Sequence, residues 1–198
     1  MIRGHMRGDS KPDMSTDLEP RAIDYRRLSE DDLDLVSQID RTERIDALYT
    51  QCGTRLELRS GDFSASPWRL DGAGDHSVAA QVAAVREHLE SGAVALGAFD
   101  SDRLVGIALV KPHVRPGVAQ LAYLHVSSGY RAEGIGGRLC GQLEVIAREA
   151  GDTSMVVSAT PSLNTVRFYE RRAFRPMAKP LPELLKLEPE DVHMVKSL

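Results

Sequence analysis

Apolar and polar side chains alternate from Ala22 to Leu28, the period of a half-buried strand, with Ile23 and Tyr25 on one side. After Ser29 the period changes. Leu33, Val36 and Ile39 form the buried stripe of a helix that Ser29 caps, with Asp31 and Asp32 in its first turn, where the dipole favours negative charge. Two half-apolar runs meet at Gln51-Cys52-Gly53-Thr54, which predicts a hairpin. Residues 60–75 are rich in Gly, Ser and Pro and are expected to form a loop carrying the lone tryptophan, Trp68. Val78, Val82, Val85 and Leu89 are in helical register. Three apolar runs follow, at 93–99, 103–110 and 118–126. Asp100-Ser101-Asp102 turns between the first two, and Pro112, Pro116 and Gly117 punctuate the second gap, so a meander of three antiparallel strands is expected.

Helical spacing returns at Ile135, Leu139, Leu143, Ile146 and Ala150 and ends at Gly151. Residues 153–159 read as a strand. A strand-helix-strand crossover makes this strand parallel to the one at 118–126. A short helix follows Pro161, over 162–172. The rest is proline-broken until a last strand at 192–198. The sum is one α+β domain over about 21–198, after a polar segment, 1–20, expected to be a flexible tail.

Composition narrows the function classes. Apolar residues are 42% and charged residues 27% of 198, ordinary for a globular protein. With 25 basic against 29 acidic side chains the net charge is −4, which argues against a nucleic-acid partner, because such binding needs basic surface. No run approaches the ~20 apolar residues of a membrane span, so no membrane partner is expected. The first twenty residues lack the apolar core of a signal peptide, which leaves a cytoplasmic location as the expectation. Cys52 and Cys140 form no Cys-x-x-Cys and the six histidines have no ligand spacing, so no metal is expected.

The chemistry concentrates in one stretch, Val126 to Gly151, where glycines crowd the start of a helix. No Gly-Lys pair exists for a P-loop, and Leu139 stands where a dinucleotide turn needs its third glycine. What remains is Arg-x-x-Gly-x-Gly at a strand-to-helix junction: Arg131, Ala132, Glu133, Gly134, Ile135, Gly136. Small residues let a ligand approach the backbone, and the unpaired amides of a helix start favour an anion such as a pyrophosphate. A glycine-lightened turn serving packing alone fits the same residues.

With Leu124-x-Val126 before this turn, and Phe168-Tyr169-Glu170-x-x-x-Phe174 after the next strand, the sequence resembles the GNAT superfamily of acetyl-CoA-dependent N-acetyltransferases. The resemblance covers 21–198 in element order, with its specific motifs between about 118 and 175. It implies a GNAT-like fold, a mixed and mostly antiparallel central sheet flanked by helices and splayed at the cofactor strand. It implies acetyl-CoA as co-substrate, with the pantetheine arm along Leu124, His125 and Val126. The pyrophosphate is then expected on Arg131, Ala132, Glu133, Gly134, Ile135, Gly136, Gly137 and Arg138, with Asn164 and Phe168 completing the cofactor set. The family's asparagine seven residues before the tyrosine is replaced by Ser162, and its Gly-Phe by Ala173-Phe174. Dimers are common among relatives, so a homodimer is an expectation while the oligomeric state stays open.

The reaction so implied is direct attack of an amine on the thioester. It needs a base for an ammonium of pKa ~10.4, donors for the carbonyl oxygen, and a proton for a thiolate of pKa ~8.5. Tyr169 occupies the family's tyrosine position and is expected to be the general acid; a Tyr merely packed on the sheet is the other reading. The family's glutamate on the splayed strand has Gln120 as its nearest counterpart. His125 and Glu57 are the candidate bases, with Asp62 behind them, against the readings of a structural His and solvated carboxylates. Tyr49, Phe63 and Trp68 line either an acceptor pocket or a satellite core. Arg167, Arg171, Arg172 and Arg175 form a solvated face, or one of them steers the cofactor. The acceptor implied is a small-molecule amine. A protein or peptide acceptor and a non-catalytic acyl-CoA-binding module are the alternatives.

Overall fold

The alternation at the start of the chain becomes β1 (Ile23–Leu28), paired antiparallel with β4 (Val94–Asp100). The computed structural model describes residues 21–72 and 74–198, so the tail expected over 1–20 lies outside the described residues. After β1 the Asp32 carboxylate accepts from the Ser29 backbone N–H at 2.9 Å and from its hydroxyl at 3.1 Å, which fastens the first turn of a helix over Glu30–Gln38. That helix is 3-10. Its stripe of Leu33, Val36 and Ile39 recurs every three residues, and a three-residue turn stacks such positions in line. All three are buried.

The expected hairpin is present as β2 (Glu43–Cys52) and β3 (Arg55–Ala65), a two-stranded sheet of its own. The loop expected from residue 60 is corrected, because β3 runs on to Ala65. Ser60, Phe63, Ser64 and Ala65 pair with Ala47, Ile45, Arg44 and Glu43. Most of β3 is exposed, so backbone bonds hold this segment and its apolar pattern is faint. Trp68 follows β3 in the irregular segment, as expected, and turns its side chain into the core.

α1 (Val78–Glu90) leads into the meander β4, β5 (Arg103–Arg115) and β6 (Val118–Val126). Pro112 does not end β5 as expected. Register is lost between Lys111 and Arg115, where His113 sits at φ +56°. The buried Asp152 carboxylate accepts from the His113 backbone N–H at 3.1 Å and lies 3.0 Å from its Nδ1. A proline is tolerated where the ladder is already interrupted. α2 (Ile135–Glu149) then crosses to β7 (Ser154–Ala159), parallel to β6. α3 (Leu163–Glu170) follows. The segment expected to be irregular up to 192 instead holds β8 (Arg175–Pro176) and α4 (Pro182–Leu187) before β9 (Val192–Ser197). Pro182 stands in the first turn of α4, where a missing N–H costs no hydrogen bond.

The main sheet has the order β1-β4-β5-β6-β7-β9-β8, with β6 and β7 its only parallel pair among the described residues. β5 is buried from Leu104 to Val110, as a strand covered on both faces must be. One face packs under α2 and α3 through Leu139, Leu143, Val166 and Phe174. The other packs under α1 and the 3-10 helix through Leu33, Val36, Trp68 and Val85.

Candidate functional site: the gap between the parallel strands

β6 and β7 pair only from Val118↔Ser154 to Leu121↔Val157. There β6 bulges. Its register on β5 jumps from Val110↔Leu121 to Leu109↔Tyr123, which leaves Ala122 without a partner and bends the strand. Beyond the bulge β6 stays with β5, while β7 stays with β9 through Ser158↔His193 and Ala159↔Val192, so a gap opens between them. The Ser127 N–H donates to the Val105 carbonyl at 2.8 Å. By the alternation of an antiparallel ladder, residues 123, 125 and 127 then bond to β5, and Leu124 and Val126 turn their N–H and C=O groups to the gap. Arg131 Nε donates to the Val126 carbonyl at 3.1 Å; the Val126 N–H and both groups of Leu124 have no strand partner.

From Val126 the chain passes a 3-10 turn, Ser128–Tyr130, and enters α2. Two side chains fasten this junction to the segment before β2. Arg131 donates to the Thr42 and Arg41 carbonyls at 3.0 Å each and pairs with Glu43 at 3.2 Å. Its guanidinium is thus a staple. Asp40 accepts from the Ser128 hydroxyl at 2.6 Å and the Thr42 N–H at 2.9 Å, and these bonds, Ser128 first, hold its pKa at about 2.

The turn itself is shaped by backbone. Ala132 has φ +66° and Gly134, the cap of α2, φ +84°, a region that strains any L side chain placed at 134. No side chain caps the helix, and Arg138 is its first residue to bond back, to the Gly134 carbonyl at 3.0 Å. The amides of Ile135, Gly136 and Gly137 therefore have no intrahelical acceptor. A Cβ at Gly136 would stand 3.2 Å from the Phe168 ring and 3.6 Å from Val126, so glycine here lets α2 close on α3 and β6. Arg172 lies 3.7 Å over the Phe168 ring with its guanidinium against Gly137, adding a cation to the positive end of the helix. Of the arginine cluster only Arg172 reaches this turn; Arg167, Arg171 and Arg175 line a separate surface hollow with Glu170. Glu133 pairs outward with Arg21 at 3.0 Å, and Arg138 covers Tyr25 at 4.5 Å.

Tyr169 is 4% exposed, its ring edge-on to Phe168 and Phe174. Burial first, then the Cys140 thiol, pushes its pKa well above the usual 10. Cys140 is itself pushed up to about 12 by burial. Asn164 donates to Glu43 at 3.1 Å, while Ser162 is buried and caps α3 through the Thr165 N–H. His125 lies on the other face, 5.1 Å from the Trp68 ring and 4.7 Å from Tyr123. Burial, then Arg41, pushes it down to about 4, so it is neutral at pH 7. Glu57 is exposed on β3 and pairs with Arg55. Tyr49, Phe63 and Trp68 do not share a pocket: Tyr49 packs under the α3 side, Phe63 is half-buried beneath Arg59, and Trp68 joins the opposite core. Gln120 borders a cavity of about 310 Å³ near α4, below the bulge.

Beyond β7, on β9 and the segment before it, stand groups that the sequence did not announce. His193, opposite Ser158, is 2% exposed; its Nδ1 is 3.2 Å from the Ser158 hydroxyl, and its Nε2 makes no hydrogen bond. Gln51 fills the place of a missing strand beside it, accepting from the His193 N–H at 2.7 Å and donating to its carbonyl at 3.2 Å. This latches the hairpin tip onto β9. Just before β9, Asp191 N–H donates to the Glu188 carbonyl at 3.2 Å. Burial, then Glu188, raises the Asp191 carboxyl to about 7; burial also raises Glu188, against a hydrogen bond from Ser158. Both carboxylates add to the upward shift of Tyr169. No spacing rule joins residues 51, 158, 169, 188 and 191, so only the folded chain reveals the group.

Among the described residues no helix is long and apolar enough to cross a membrane, and no group of three or more His, Cys, Asp or Glu could hold a metal ion. Residues 57–174 match the profile of the Acetyltransferase (GNAT) family. Nourseothricin acetyltransferase superposes with a TM-score of 0.67 at 16% identity, over 89% of this chain and 98% of that one. The PaiA N-acetyltransferase of Thermoplasma acidophilum, solved with coenzyme A, gives 0.58 at 17% identity, over 89% and 99%. The ribosomal-protein-S18-alanine N-acetyltransferase of Escherichia coli gives 0.57 at 14%, over 89% and 94%. None of the curated proteins compared with the chain matches it. The structural likenesses establish a shared fold, including the mostly antiparallel sheet flanked by helices.

Proposed function

The chain belongs to the GNAT acetyltransferase family, and from that premise we propose that it carries an acetyl group from acetyl-CoA to the primary amine of a small molecule, by direct attack within a ternary complex. One observation supports the cofactor placement above the rest: strand-free backbone groups of Leu124 and Val126 lead directly to a helix start whose amides lack acceptors. In this reading the pantetheine arm continues the sheet along Leu124 to Val126. The pyrophosphate sits on the Arg131–Arg138 turn, with Arg172 beside it and Asn164 and Phe168 at its edge. The donor set fits a diphosphate, since it offers amides, a helix dipole and the Arg172 cation, while the Glu43 carboxylate at its edge is taken up by Arg131 and Asn164. The whole of 21–198 serves as one acetyltransferase domain.

Tyr169 then acts on the leaving thiolate. A phenol held well above 10 stays protonated through the working range. Against a thiol of pKa ~8.5 it stabilises developing negative charge by donating a hydrogen bond more readily than it surrenders the proton outright. The small-molecule acceptor is favoured by the hairpin. β2 lies over the start of α3 through the Tyr49 N–H to Pro161 carbonyl bond at 2.7 Å, and Gln51 ties its end to β9. This narrows the room beside the start of α3 and favours a compact acceptor. Coenzyme A release, followed with a thiol reagent, tests the proposal across spermidine, lysine, an aminated antibiotic of the nourseothricin class and N-terminal peptides. Turnover on small amines is expected. Turnover confined to peptides overturns the acceptor assignment, and acetyl-CoA binding without any turnover leaves a binding module.

A further inference from the structure

One charge on the wall of the cavity at the foot of β6 has no counter-charge. The cavity, of about 310 Å³, is lined by Lys111 and His113 from β5, Gln120 from β6, and Leu181, Glu183 and Leu184 from α4 and the residue before it. Lys111 and Gln120 face each other across the β5–β6 ladder. Their neighbours Val110 and Leu121 lie in the core under α2 and α3, so alternation turns Lys111 and Gln120 to the opposite face. Glu183 is taken up by Arg115 at 2.8 Å, and the His113 Nδ1 by the buried Asp152 at 3.0 Å. Lys111 is half-buried, yet it enters none of the ten ion pairs among the described residues. Its charge is felt by His88 of α1, which burial first and Lys111 next push below the usual 6.5. A half-buried cation without a counter-charge, on the wall of a cavity with room for a small organic molecule, calls for an anion in that cavity.

Resting on the acetyltransferase reading, we propose that the acceptor is an aliphatic amine bearing a carboxylate, which this cavity holds on the Lys111 ammonium and the Gln120 amide. Gln120 pairs with Val156, one step before Leu121↔Val157, the last pair below the gap. From Gln120 to the unpaired Ala122 is about 7 Å at ~3.3 Å per residue, the reach of roughly four or five methylenes. The carboxylate then lies on Lys111, the alkyl chain against Leu181 and Leu184, and the amine at the bulge. It arrives from the face opposite Tyr169, so the entering nitrogen and the departing sulfur stand on different sides of the thioester carbon. Glutamine at 120 matters here, because a glutamate would pair with Lys111 across the ladder and cancel the charge that selects the guest.

Calorimetry at pH 7 tests the cavity with 6-aminohexanoate and with hexylamine, the same chain without its carboxylate, each titrated into the protein with and without coenzyme A. The parent is expected to bind 6-aminohexanoate at least about 10-fold more tightly than hexylamine. Lys111→Met should abolish that preference, and Lys111→Arg should keep most of it. Gln120→Glu, which pairs the ammonium from within, should abolish it as well, and decides if Lys111→Met does not fold. A parent that binds neither amine or shows no preference overturns the assignment, as does a preference that survives Lys111→Met. Coenzyme A release from acetyl-CoA separates an acceptor from a bystander carboxylate. The KM for 6-aminohexanoate should be about 10-fold below that for hexylamine, and Lys111→Met should raise it with kcat held. Binding of 6-aminohexanoate without its acetylation overturns the proposal where hexylamine or spermidine is acetylated. Where no amine is, the acetyltransferase reading falls and the proposal with it. Coenzyme A affinity is measured separately: its loss in the parent strikes that reading, and its retention with no preference for the carboxylate strikes the cavity alone.

Discussion

The β6 side of the gap and the polar groups around β9 are built from opposite kinds of sequence. The first is continuous, from Leu124 through the turn to Arg138, and it presents backbone amides, a helix dipole and the Arg172 cation. The second collects Gln51, Ser158, Glu188, Asp191 and His193 from separate elements, and Gln51 and His193 alone lie 142 residues apart. One is positive and backbone-made, the other acidic and made largely of side chains. Holding a polyanion asks little of side-chain identity, since any chain that leaves a helix start bare and narrow presents the same donors. A carboxyl shifted by burial depends on what packs around it, and only tertiary structure sets that.

The sharpest way to break this division is at Gly134. Gly134→Asp places a strained side chain and a negative charge at the cap of α2, and coenzyme A affinity should fall by about 100-fold or more in a direct titration. An unchanged affinity would remove the diphosphate from this turn. Tyr169→Phe tests the phenol itself. The rate of coenzyme A release should drop by roughly 10-fold or more, with cofactor affinity held, because the hydroxyl acts on charge that exists only in the transition state. Arg131→Ala should instead act on stability. It removes donors from three carbonyls and a partner from Glu43, so the urea midpoint should correspond to a loss of about 2–3 kcal/mol at unchanged slope. Gln51→Ala should cost about 1–2 kcal/mol, and hydrogen exchange should show the gain in opening at the β2–β3 tip and the start of β9.

What could be read from the sequence follows the same division. The period-two runs, the meander, the crossover and the turn at Arg131–Gly136 were legible because each is decided within about fifteen residues by side-chain period and backbone freedom. The splay of β6 from β7 was expected only through the resemblance, and the bulge at Ala122 that produces it is demanded by no local residue. β3 beyond residue 60 was hidden because a mostly exposed two-stranded ribbon needs no apolar pattern. The 3-10 helix was written in the three-residue spacing of Leu33, Val36 and Ile39, which the amphipathic α-helix template also accepts. β5 through Pro112 depends on Asp152, distant in sequence, steadying His113. His125 offered suitable chemistry and was placed by strand alternation on the face opposite Leu124 and Val126, where Trp68 meets it from the segment after β3. Asp191 offered nothing, for a lone aspartate after Pro189-Glu190 gives no hint of its burial or of Glu188 beside it.

The smallest expected effect tests whether the burial of one carboxyl serves the fold. The folded-state carboxyl of Asp191 is raised to about 7, so folding favours its protonated form. Below about pH 4, where the unfolded carboxyl is also protonated, this contributes its full stabilisation. As pH rises from there through 7 the unfolded state ionises first, and stability falls; above 7 the loss is complete. Asp191→Asn keeps the shape and removes the ionisation. The variant should therefore melt a few degrees above its parent at pH 8, and the two curves should converge toward pH 4. A variant less stable than its parent at pH 8 would mean that the ionised carboxylate is held by partners in the folded protein. A variant more stable at pH 8 would show a carboxyl kept against the interest of the fold.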